Sequence, residues 1–97
     1  MKIFVVEGHC GEYSDHRDWP VKAFTSEFGA KQLVAKATRR AEEIYALAQA
    51  NTGHYWVPYN ERVNPLYINE FDPNMETDYT GTTYQYFEID LDMSHYA

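Results

Sequence analysis

The hydrophobic pattern changes character along the chain. Ile3-Phe4-Val5-Val6 is apolar at every position, which predicts a strand that is central in its sheet and covered on both faces. Gly8 to Trp19 is polar and glycine-bearing and predicts a long loop. Pro20 can open a second strand, Val21 to Thr25, because its missing N–H costs least at a strand start. Ser26 then stands as an N-cap, and Glu27 lies near the positive end of the helix it starts. At about 100° per residue, Ala30, Leu33, Val34, Ala37, Ala41, Ile44, Tyr45, Leu47 and Ala48 share one face of a helix running to about Asn51. Thr52-Gly53 ends it.

Period two returns at the far end. In Thr82 to Asp92, Thr83, Gln85, Phe87, Ile89 and Leu91 form one row, and Tyr84, Tyr86, Glu88, Asp90 and Asp92 form the other. This predicts a half-buried antiparallel strand with Phe87, Ile89 and Leu91 inward. The segment between helix and strand reads less simply. Asn64-Pro65 has the character of an N-cap and first helical position, so Leu66 to Phe71 is expected as a short second helix. Tyr55, Trp56, Val57 and Tyr59 are expected to pack over the exposed sheet face.

These elements make an α+β fold, a three-stranded antiparallel sheet with one long and one short helix packed on it, in a single compact domain over residues 1–97. The expected core is Phe4, Val6, Leu33, Ala37, Ile44, Phe87, Ile89 and Leu91.

Charge adds position to this picture. Residues 1–62 balance eight acidic against eight basic side chains. Residues 63–97 hold Glu70, Asp72, Glu76, Asp78, Glu88, Asp90 and Asp92 with no lysine or arginine, so the whole formal excess of −7 lies there. Such a surface repels nucleic acid and membrane head groups and attracts basic clefts; its bland role is solubility. Along an extended strand Glu88, Asp90 and Asp92 would stand roughly 6.6–6.8 Å apart. Direct nucleic-acid binding is disfavoured by the sign of the charge. No apolar stretch is long enough to span a bilayer. The N-terminal run is too short for a signal peptide, and Cys10, the one cysteine, has no internal disulfide partner. A reducing, cytoplasmic setting is expected.

Candidate chemistry is sparse. His9-Cys10 with His16 suggests a metal site, but the spacing matches no standard zinc pattern, and surface histidines are the expectation. A Cys10–histidine nucleophile pair has no supporting nucleophile elbow. The EF-hand pattern and a glycine-rich phosphate loop are both missing. The reading is therefore a protein that is not an enzyme, with no cofactor and no metal ligands.

Lys2-Ile3-Phe4-Val5-Val6, Cys10-Gly11-Glu12-Tyr13-Ser14-Asp15 and Asp78-Tyr79-Thr80-Gly81-Thr82-Thr83-Tyr84 resemble a family of small phage and prophage proteins, as does the alanine-rich helix between them. In length and acidity the chain is similar to small type I-F anti-CRISPR proteins of the DNA-mimic kind. That resemblance implies a target in the host bacterial cytoplasm; the chain itself is expected to be a monomer. Its partner would be the basic DNA-binding channel of a crRNA-guided surveillance complex. The contacts expected on it are Glu70, Asp72, Glu76, Asp78, Glu88, Asp90 and Asp92, with Tyr79, Tyr84 and Tyr86 as aromatic anchors. The alternative is a phage regulatory or structural module that binds a protein through its aromatic segment 54–68.

Overall fold

The computed structural model describes residues 1–54, 57 and 61–92. Three strands, β1 (Lys2–Cys10), β2 (Arg17–Phe24) and β3 (Thr82–Asp90), form an antiparallel sheet in the order β2-β1-β3. One long helix, α1 (Glu27–Thr52), lies on one side of it, so the α+β class stands.

β1 is central, as its apolar run requires, but the described residues cover it on one face only. Phe4, Val6, Gly8 and Cys10 are buried against α1 and the loops, whereas Ile3, Val5, Glu7 and His9 point to the other face and are half-buried. The Gly8–Trp19 segment is not all loop. β1 runs on to Cys10, a 3-10 turn occupies Tyr13–Asp15, and β2 begins at Arg17. Pro20 sits inside β2. Val6 pairs with Lys22 and Glu7 with Pro20, so Val21 is an extra residue that bulges out of the ladder. An edge strand accepts a proline where its N–H would face away from the neighbour, and a bulge relieves the ladder around it.

Ser26 Oγ accepts from the Gly29 N–H at 3.3 Å, and Gly53, at φ 76°, ends α1 in the left-handed region that an L side chain resists. The buried side chains of α1 are Ala30, Ala37, Ala41, Ile44 and Ala48. Alanines let the helix axis approach the sheet closely. Phe4, Val6, Ala30, Ala37, Ala41 and Tyr84 form the main core, and Ile44, Ala48, Val57 and Tyr67 form a second beside it.

Three further expectations are corrected here. The second helix is only a 3-10 turn, Pro65–Tyr67, capped by Asn64. It stops because Ile68 turns extended and Asn69, buried, donates its amide to the Ala37 carbonyl of α1 at 3.1 Å. The last strand is also turned over. Tyr84 is buried beneath α1, while Phe87, Ile89 and Leu91 are 43, 44 and 38 % exposed on the open face. Tyr55, Trp56 and Tyr59 lie outside the described residues; Val57 packs with Ile44 and Ala48 of α1, not over the open sheet face.

Candidate functional site

The helix side of the sheet holds a buried polar network that fixes β3. Gly8 pairs with Trp19 on β2 and with Tyr84 on β3. With no side chain on Gly8, the Trp19 indole lies over its backbone; a Cβ there would come within 2.6 Å of the ring. Trp19 Nε1–H and the Tyr84 hydroxyl both donate to Asp72 Oδ2, each at 2.8 Å. Burial, together with the Asp72 carboxylate, pushes the Tyr84 phenol well above the ordinary tyrosine range. Asp72 is 2 % exposed and Tyr84 7 %. Neither can serve as the surface contact expected of it, because burying two donors against one carboxylate is a structural task.

The other acidic residues do not form one face. Glu76 and Asp78 adjoin the start of β3, where Thr82 Oγ1 donates to the Glu76 carbonyl and the Gly81 N–H to that of Asp78. Glu88 and Asp90 stand towards its other end, about 20 and about 26 Å along the strand from Thr82. Several are close to cations from the charge-balanced part of the chain. Glu70 is 3.3 Å from Arg40, Glu76 3.9 Å from Arg17, Glu88 3.8 Å from Lys2, and Asp90 3.4 Å from the N-terminal ammonium. Asp78 accepts from the Thr80 hydroxyl at 2.7 Å, which holds its carboxyl below the usual range. Tyr79 is exposed, and the Glu12 carboxylate beside its hydroxyl raises that phenol. Tyr86 is half-buried, its ring edge-on to Phe4 with 6.3 Å between centroids. Asp92 is exposed beyond β3.

The open face of the sheet is divided lengthwise. Val5 stands opposite Phe87 and Ala23, and Ile3 opposite Ile89, with Leu91 continuing the row. Leu91 is held there by its N–H, which donates to the Met1 carbonyl at 2.7 Å. Two residues beyond Val5 the same face of β1 turns polar. Glu7 accepts from Gln85 at 3.0 Å, and His9 Nε2 is hydrogen-bonded to Thr83 Oγ1 at 2.8 Å. Here His9, His16 and Asp18 converge, each offering one ligand atom within 4.8 Å of the others. Sequence reading grouped His9 and His16 with Cys10, but Cys10 points to the helix side, where the Arg17 guanidinium lies 3.2 Å from its Sγ. Asp18 went unnoticed because it joins the histidines only through the β1–β2 register, His9 opposite Asp18.

A surface depression of about 350 Å³ opens between Val57, Arg62, Tyr67, Asn69, Met75 and Thr77. Its described lining holds no histidine, cysteine or lysine. Among the described residues no helix is long and apolar enough to cross a membrane. Comparisons with protein families, curated proteins and solved structures find no match for this chain.

Proposed function

We propose that this protein works by binding a partner protein on the open face of its sheet. The observation that carries the reading is the row Phe87, Ile89 and Leu91, more than a third exposed beside Ile3 and Val5 on a side that no helix among the described residues covers. Contiguous apolar surface left in water is uncommon on a small soluble domain and marks an interaction site. Covering it yields about 25 cal/mol per Å². Asp90 and Asp92 stand in the same segment, Glu7 and Asp18 lie further along the sheet, and the chain carries a net charge of −7. The fitting occupant is therefore a protein with an apolar centre edged by lysine and arginine, since complementary charge at a rim speeds encounter and selects partners. The resemblance to small phage proteins makes a host protein the natural source of that surface.

A second reading, mimicry of DNA in the channel of a crRNA-guided surveillance complex, is favoured by the exposure of Glu88, Asp90 and Asp92 at one end of the molecule. It loses Asp72 and Tyr84 as contacts, and its remaining charges are split between two ends.

The test compares wild type with Phe87→Ser/Ile89→Ser and with Glu88→Lys/Asp90→Lys. Each is offered to purified surveillance complex of the I-F type, with and without target DNA, and to host lysate followed by reconstitution with any purified protein retained. Open-face binding predicts a complex that survives high salt and is lost in the serine variant. Mimicry predicts competition with target DNA, weakening as salt rises, and loss on charge reversal. Serine variants that bind every partner as wild type does would sink the open-face reading. Sedimentation showing a wild-type dimer dissolved by the same serines would replace the host partner with a second copy.

A further inference from the structure

We infer that His9, His16 and Asp18 form a binding site for a divalent transition metal ion of the zinc class. The inference stands on this cluster's geometry and is independent of the partner-binding reading.

The three residues come from two strands and the loop between them. His9 is on β1, and Asp18 is opposite it on β2. His16 closes the 3-10 turn, its N–H donating to the Tyr13 carbonyl at 3.2 Å. The loop that carries His16 is pinned at its start by the Gly11 N–H, which donates to Thr80 Oγ1 at 3.0 Å, and within by Asp15 N–H to Glu12 O at 2.9 Å. The ligands are therefore positioned by ordered backbone.

Distances fit an ion. Zinc–nitrogen and zinc–oxygen bonds of about 2.0–2.2 Å at a tetrahedral angle separate neighbouring donors by about 3.3 Å. Here His16 Nε2 and Asp18 Oδ1 are 2.8 Å apart, and all three donors lie within 4.8 Å of one another. Small side-chain rotations cover the difference. The His9 and His16 rings are edge-on with centroids 6.1 Å apart, so neither covers the other's nitrogens. Thr83 Oγ1 at 2.8 Å from His9 orients that ring, as outer hydrogen bonds do for metal-bound histidines.

The donor set selects the ion. Two imidazoles and one carboxylate suit Zn²⁺ and its imidazole-preferring neighbours, whereas Mg²⁺ and Ca²⁺ want oxygen alone and Cu(I) wants sulfur. Because His16 and Asp18 are exposed, a fourth position would face solvent and could accept water or an outside ligand. An ion held by three such residues also staples the β1–β2 hairpin.

The experiment uses tag-free full-length protein and Zn²⁺ in calorimetry, with Cu²⁺ electron paramagnetic resonance to identify donors. The expected result is one ion per chain, nitrogen superhyperfine splitting, and a raised thermal midpoint with Zn²⁺. His16→Ala and Asp18→Asn should each weaken binding about tenfold or more, and His9→Ala/His16→Ala should remove both the binding and the thermal shift. Cys10→Ser should bind as wild type does. Circular dichroism of the ion-free variants checks that the fold persists, and Asp18→Asn keeps the side-chain volume should an alanine variant not fold. Three outcomes would overturn the site: no Zn²⁺ uptake by wild type, equal affinity in the double-histidine variant, or loss of binding in Cys10→Ser.

Discussion

The Tyr84 hydroxyl donates a 2.8 Å hydrogen bond to Asp72 Oδ2 on the helix side of the sheet. The Trp19 indole N–H reaches the same oxygen, so one carboxylate joins β2, β3 and the loop between α1 and β3. Removing it strands two donors. Asp72→Ala should cost about 1–3 kcal/mol for each donor left unpaired. Asp72→Asn, which keeps an acceptor oxygen, should cost less. Urea unfolding of the three proteins measures this, and an alanine variant as stable as wild type would show that the network contributes nothing.

Alkali should attack the same place. Tyr84 is held neutral in the folded protein, its phenol raised by burial and by Asp72, while an unfolded tyrosine ionises near the ordinary value of about 10. The folded value is the higher one, so this group's contribution is fully present below about pH 10. It is lost as the pH climbs from there towards the folded value. Stability followed against pH should fall on that limb, and the fall should be shallower in Tyr84→Phe. Equal slopes in the two proteins would contradict the assignment.

Gly8→Ala should lower the thermal midpoint, at a cost of about 1–3 kcal/mol, because a Cβ would come within 2.6 Å of two Trp19 ring carbons. In a Trp56→Phe background the emission of Trp19 should shift to the red as the indole leaves Asp72. Unchanged emission and midpoint would mean the ring does not lie over Gly8.

Ile44 and Ile89 offer a matched pair. Ile44→Ala should cost about 2–5 kcal/mol, since the side chain is 1 % exposed and leaves a cavity. Ile89→Ala, on the open face at 44 % exposed, should cost under about 1 kcal/mol. Denaturant midpoints decide it, and equal losses would place Ile89 in the core after all.

That comparison marks where the sequence was legible. The alternation of β3 is plain, as are the alanine-rich stripe of α1, Ser26 and Gly53 at its ends, and the apolar run of β1. The inward row of β3 was not readable, because both rows offer apolar area and tyrosine can serve either side. Phe87, Ile89 and Leu91 win on hydrophobicity; Tyr84 wins on fit, since Asp72 supplies its hydroxyl with an acceptor beneath a helix that presents alanines. A shift of one position exchanges the two faces. Asp72 itself read as one of seven acidic surface residues, because nothing local reveals that Trp19, 53 positions away, donates to it. Likewise Asp18 enters the histidine cluster only through strand register.

The sheet order sets a schedule for synthesis. β1 pairs with β2 within the first 24 residues, yet its other edge waits for residues 82–90, with Lys2 opposite Asp90. While the nascent chain emerges, hairpin and helix can form, but the main-chain N–H and C=O groups along one whole side of β1 face water or whatever strand meets them first. The closing contact spans nearly the full chain, the slow kind of pairing. A ribosome that pauses after the helix therefore holds a two-stranded ribbon with an adhesive edge, and completing the nine residues of β3 removes that hazard.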